Sequence, residues 1–149
     1  MTVIFIDADA CPVKEETKKV ANRFGLKIIL VSNGGIRPSR DPMVEIVIVA
    51  KGADVADDWI EAKIAKNDIV ITQDILLASR CLDRGALAIG VNGKEFTNEN
   101  IGIKLAMRDL NQHLRETGEG GSYNKAFSNK DRSNFLQNLD LMVRKAKIL

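Results

Sequence analysis

Short runs rich in Val, Ile and Leu, at residues 3–6, 27–31, 46–49, 69–72 and 87–91, recur along the chain between stretches patterned for helix. The run at 3–6 lacks polar alternation and ends in acidic residues, the pattern of a strand buried on both faces. Strands interleaved with helices predict an α/β fold, a mostly parallel sheet with helices on both faces. The first helix opens at Cys11 and Pro12, since proline fits the first helical position, where its missing N–H would be unpaired anyway. Val13, Val20, Ala21 and Phe24 form its apolar stripe and Gly25 ends it. Further helices are expected at 54–66 and 75–83, with 87–91 as the last strand. Asn33, Gly34, Gly35 and Pro38 mark a loop that carries Arg37 and Arg40.

The segment from 104 onward differs in kind. Two helices, near 103–114 and 131–147, flank a loop with Gly118, Gly120 and Gly121. Residues 104–149 hold 9 basic and 5 acidic side chains, +4, against 13 and 15, −2, before them. With no clear linker, residues 1–149 read as a single domain whose 104–149 portion is a basic helical C-terminal extension. At 45% hydrophobic content and 3 Pro, the chain can bury enough apolar surface to offset backbone ordering. A formal charge of only +2 excludes a polycation that coats nucleic acid indiscriminately. No apolar run approaches the roughly 20 residues that span a bilayer, and the first run lacks a cleavage-like site behind it. Two cysteines, Cys11 and Cys81, make neither a disulfide framework nor a zinc site, so a soluble protein of the reducing cytoplasm is expected.

In an open parallel sheet, ligands bind beyond the carboxyl ends of the strands. Asp7 directly follows the first strand, with Asp9 two residues on, and Asp74 follows the 69–72 strand. Asp54, Asp57 and Asp58 fall in the first turn of the helix leading into that strand. On a helical wheel, Ala56, Trp59 and Ile60 mark the buried side, Asp57 lies at its edge, and Asp54 and Asp58 turn toward water. Converging carboxylates raise one another's pKa unless a cation lies between them. Oxygen donors without histidine or thiolate select Mg²⁺ or Mn²⁺, which can orient a water for attack on a phosphodiester. Each acid also has a plainer reading: Asp54 and Asp74 are natural helix N-caps, and Asp57 sits where a carboxylate favours the helix dipole. Cys11, at a helix start without a nearby arginine, reads as a structural thiol, and His113 as a surface or capping group.

The runs Asp7-Ala8-Asp9-Ala10-Cys11-Pro12, Gly52-Ala53-Asp54-Val55-Ala56-Asp57, Ile71-Thr72-Gln73-Asp74-Ile75 and Met107-Arg108-Asp109 resemble the bacterial YaiI/YqxD family over nearly the whole chain. That family is similar to PIN-like domains, whose nuclease members gather acids around Mg²⁺ or Mn²⁺ at the carboxyl end of a parallel sheet. The resemblance implies a PIN-like fold, with Asp7, Asp57 and Asp74 as catalytic metal ligands and Asp9 and Asp54 as accessory ligands. Asn129-Lys130-Asp131-Arg132 resembles the family's polar segment before its final helix, with Lys130 where arginine is common. Together with Arg108, Lys125 and the glycine loop, Lys130 and Arg132 are expected to hold a phosphate backbone. The plainer reading is a solvated helix start in which Asp131 pairs with a neighbouring base. Tyr123, Phe127 and Trp59 read as packing residues, not stacking platforms.

The leading expectation is a divalent-metal-dependent nuclease acting on RNA. A non-catalytic RNA or nucleotide binding module is the alternative. A haloacid-dehalogenase-like phosphatase, with Asp7 and Asp9 as nucleophile and general acid, ranks below both, because its downstream lysine and acidic pair are not evident.

Overall fold

A computed structural model describes residues 2–7, 12–34, 41–52, 54–116 and 127–148. The chain runs through β1 (Val3–Asp7), α1 (Lys14–Phe24), β2 (Lys27–Ser32), β3 (Val44–Ile48), α2 (Val55–Lys63) and β4 (Ile69–Ile71). It continues with α3 (Ile75–Asp83), β5 (Leu87–Ile89), β6 (Glu95–Phe96), α4 (Asn98–Glu116) and α5 (Asn129–Ile148). The strands form one sheet in the order β3-β2-β1-β4-β5-β6. Every neighbouring pair is parallel except β5 and β6. This is the expected α/β architecture, a mostly parallel sheet with helices on both faces, and it is consistent with a PIN-like layout.

Side-chain alternation along the strands divides the core in two. Ile4, Ile6, Ile28, Leu30, Ile69 and Ile71 point to the face covered by α1 and α5. Phe5, Val31, Val70 and Ala88 point to the other, where Ile60 and Ile64 from α2 and its end, and Leu77, Ala78 and Cys81 of α3, cover them. Trp59 joins this second layer, its ring centroid 6.4 Å from that of Phe5. Burial of the Cys81 thiol pushes its pKa up to about 12, which marks it as packing.

The last helix is part of the core. Phe135, Leu139, Met142, Val143 and Ala146 follow helical spacing and are buried against the sheet and α1. Each large side chain in such a stripe contributes roughly 1.5–3 kcal/mol. Polar ties align the two helices: Arg132 donates to the Pro12 carbonyl and, at 3.2 Å, to Glu16, and Arg23 donates to Asp140 at 2.6 Å. Arg144 donates to the other oxygen of Asp140 at 2.8 Å, and these two guanidinium groups, Arg144 foremost, hold the Asp140 carboxyl below its usual pKa.

Several element boundaries shift by one to three residues from the expectation, and three larger departures have a physical cause. The 87–91 run is not the last strand, because β6 adds an antiparallel pair to β5; two residues are too few to show any periodicity. The intervening turn is closed by the Gly93 N–H on the Gly90 carbonyl, with Gly93 at φ +88°. A side chain at Gly93 would place Cβ 2.7 Å from the Asn134 backbone, so this turn packs directly on α5. Helix α4 begins at Asn98, five residues earlier than the apolar pattern suggests, because Thr97 and Asn100 exchange side-chain and backbone hydrogen bonds in a capping box. Helix α2 stops at Lys63, since the buried Asp68 carboxylate takes the Ala65 N–H at 2.9 Å and the Val3 N–H at 3.0 Å. Asp68 thereby ties the start of β1 to the α2–β4 connection. Among the described residues, no helix is long and apolar enough to cross a membrane.

Candidate functional site

Strand order places β1 beside β4, although the chain visits β2 and β3 between them. Here the winding direction reverses: α1 leaves β1 toward one face, and α3 leaves β4 toward the other. Connections that diverge in this way open a crevice at the carboxyl ends of the two strands. Asp7 is the last residue of β1 and is 8% exposed. Thr72 and Asp74 follow β4 directly.

Thr72 couples the two strands. Its buried hydroxyl donates to Asp7 Oδ2 at 3.1 Å and accepts the Asp74 backbone N–H at 3.0 Å. One oxygen thus fixes both the rotamer of Asp7 and the turn that carries Asp74. No sequence pattern in the chain assigns Thr72 a role in the site. The available signal was a threonine two residues before a helix-capping aspartate, an arrangement in which its hydroxyl takes a local N–H.

Asp74 caps α3, as its plainer reading anticipated. Its Oδ1 accepts the N–H groups of Leu76 at 2.9 Å and Leu77 at 3.3 Å. Both bonds fall on one oxygen, so Oδ2 makes no hydrogen bond among the described residues. Capping and ligation are therefore compatible at this carboxylate.

Asp54 departs from its plainer reading. It occupies the N-cap position of α2 in a left-handed conformation, φ 65° and ψ 4°, and its side chain makes no capping bond. In that geometry the carboxylate does not fold back over the first-turn N–H groups, and an L-residue held there costs about 1 kcal/mol or more. Asp58 faces away, as the wheel indicated: with Glu61 it grips Arg80, at 2.6 Å for Asp58. These two acids raise the Arg80 pKa, Asp58 contributing most.

Asp57 is half-buried on α2, and its pKa is pushed from 3.8 up to about 6. Burial is the largest cause, followed by repulsion from Asp74, then Asp7, then Asp54, while Arg80 opposes the rise. Four carboxylates predicted as ligands thus share one electrostatic field, though they come from three separate stretches of chain. Among the described residues, however, no three His, Cys, Asp or Glu side chains close around a single point as a metal-binding group. Asp9 and Cys11 lie outside the described residues.

Of the expected phosphate-binding residues, Lys130 and Arg132 have described side chains. Lys130 is exposed in the first turn of α5. Arg132 lies on the same helix with its guanidinium 4.8 Å from the centroid of the Phe127 ring, engaged with Pro12 and Glu16 as described above. Asp131 serves a cap: its Oδ2 accepts the Ser128 N–H and hydroxyl, each at 3.0 Å, and its own N–H returns to the Ser128 hydroxyl at 3.1 Å. Arg108 falls on α4 and His113 near its end, with side chains outside the described set; Lys125, Tyr123, Arg37, Arg40 and the glycine loop also lie outside the described residues.

Residues 5–145 match the family described as "Uncharacterized BCR, YaiI/YqxD family". The chain is 58% identical to UPF0178 protein Atu1478 of Agrobacterium fabrum, covering 97% of this chain and 94% of that protein. It is 57% identical to UPF0178 protein mlr0875 of Mesorhizobium japonicum, covering 96% and 92%. Identity to UPF0178 protein R01393 of Rhizobium meliloti is 54%, covering 97% and 99%. No solved structure matches the chain. From residue 5 to residue 145, then, this protein belongs to the YaiI/YqxD family, as its four motifs suggested.

Proposed function

We propose that this protein is a divalent-metal-dependent phosphodiesterase acting on RNA, with its acids at the β1–β4 switch point. The observation that carries the reading is Asp57, whose pKa is raised to about 6 by burial and by three further carboxylates. Unrelieved repulsion of this kind destabilises a fold, and a bound cation removes it. Stability is commonly given up in this way at functional sites.

The donor set fits a hard cation. Asp7, Asp57, Asp74 and Asp54 offer only oxygen, which favours Mg²⁺ or Mn²⁺. Mg²⁺ is commonly held by one or two carboxylates with water and substrate phosphate completing its shell. Acids that share a field without closing as a ready-made triad suit that mode. Asp7, Asp57 and Asp74 would hold the ion, with Asp54 at the rim and Asp9 on the connection after β1. When bound, the cation would lower the pKa of a water and offset charge on the phosphodiester. Thr72 donates to Asp7 Oδ2 and so holds the carboxylate in one orientation. Lys130, with Arg108 and Lys125, would neutralise backbone phosphates, while Arg132 contributes what its engagement with α1 leaves available.

Incubation of RNA and DNA strands with metal-replete protein tests this reading. Cleavage of RNA that is lost with chelator and in Asp7→Asn supports it. Cleavage that survives Asp7→Asn overturns it, and salt-sensitive RNA binding without turnover would assign a binding module instead.

A further inference from the structure

We propose that a second site, at the sheet edge beyond β6, binds a small organic phosphate of mononucleotide size. It is independent of the acidic site: β6 lies three strand spacings from β1, roughly 14 Å across the sheet. A groove of about 520 Å³ runs there between the β5–β6 turn, α4 and α5. That volume suits enclosure of one small molecule, for which pockets of roughly 300–1,000 Å³ are usual.

Charge defines what the groove accepts. Lys94, Lys104 and Lys145 line it from three different elements, against Glu95 as the one acid among the described residues of its lining. Lys94 makes no ion pair among the described residues. Lys145 stands 3.6 Å from Glu95 in a half-exposed pair, and such pairs contribute about 1 kcal/mol or less. Lys104 is placed 5.4 Å from the centroid of the Phe96 ring, which orients its ammonium without neutralising it. A phosphate with two negative charges outcompetes the weak Glu95 pair through charge-assisted hydrogen bonds.

The rest of the lining suits a flat, apolar body. Leu141 is 57% exposed at the groove, while Met142 and Ile89, which also line it, are already buried in the core. Covering Leu141 with a ligand ring is favourable. The wall is preformed in backbone, since Gly93 abuts α5 and its carbonyl accepts the Asn138 side-chain amide at 2.8 Å. Asn100 is likewise committed, donating to the Glu95 carbonyl at 3.1 Å. With both carboxamides partly occupied, recognition rests on phosphate and ring, so discrimination among bases is expected to be weak.

Isotope-labelled full-length protein titrated with AMP, adenosine, inorganic pyrophosphate and a ten-residue oligoadenylate tests the proposal by amide chemical shifts. AMP should shift residues 93–95, 100, 104 and 138–145 saturably, with adenosine and pyrophosphate each binding at least about ten-fold more weakly. Lys94→Ala and Lys104→Ala should each weaken AMP about five- to ten-fold with an unchanged melting temperature. The proposal is overturned if AMP gives no saturable shift at 10-millimolar order, or if both lysine variants bind AMP as the wild type does. It is also overturned if only the oligonucleotide shifts these residues, which would make the groove a contact for a strand.

Discussion

Replacing Asp57 by Asn should stabilise the metal-free protein at neutral pH and do nothing for it in acid. In the folded state the carboxyl titrates near 6, against 3.8 in the absence of its surroundings. The folded chain therefore binds more protons than the unfolded chain between those values. The favourable contribution of the protonated acid is fully present below about pH 4 and is lost as pH rises through 6. At about 1.4 kcal/mol for each pH unit, a sealed site would lose about 3 kcal/mol. Asp57 is only half-buried, and solvent screening reduces this to about 1–1.5 kcal/mol. Asparagine keeps the shape and carries no charge, so Asp57→Asn should recover that amount at pH 7.5. Urea unfolding with chelator present should show its midpoint raised by roughly 0.5–1 M at pH 7.5, with the gap closed at pH 4. Equal midpoints at pH 7.5, or the same gain at both pH values, would refute the electrostatic account of this site.

Other consequences follow from single contacts. Thr72→Val removes the donor to Asp7 and leaves the Asp74 N–H without its acceptor, which should cost about 2–4 kcal/mol by chemical denaturation, whereas Thr72→Ser should retain most of it. Asp74→Ser keeps a capping oxygen, so the unfolding free energy measured in urea should change little, within about 0.5 kcal/mol, while any metal-dependent cleavage falls; a large loss of stability would show that Asp74 does more than cap. Phe135→Ala should destabilise by about 3–5 kcal/mol, measured by urea unfolding, and a loss below about 1 kcal/mol would contradict the placement of α5 in the core.

Much of this architecture was legible because burial writes itself into short Val, Ile and Leu runs. Strand β1 and helix α3 stand where those runs and the Asp74 cap indicated, and α3 matches its expected span of 75–83. Asp7 was legible for the same reason, since a carboxylate that ends a central strand has few places to go other than the crevice. Asp57 was legible from helical phase. Thr72 was hidden because its decisive partner lies 65 residues away, and no local pattern reports a contact of that range. The role of α5 was obscured by charge: the excess of basic residues after 104 suggested a peripheral segment, while its buried stripe spans only one side of the helix. The engagement of Arg132 with α1 was hidden, because a cationic side chain in a helix's first turn gives no sign of whether a neighbouring helix will engage it. Strand β6 escaped because a two-residue strand is defined by its turn and its partner and has no periodicity of its own.

The most direct test of the central claim is anomalous scattering from crystals soaked in Mn²⁺. The account predicts one peak at the carboxyl ends of β1 and β4, about 2.0–2.3 Å from an oxygen of Asp7 and from one of Asp57 or Asp74, and no such peak in Asp7→Asn. A saturating soak that leaves this crevice without manganese, or places the ion away from Asp7, would contradict it.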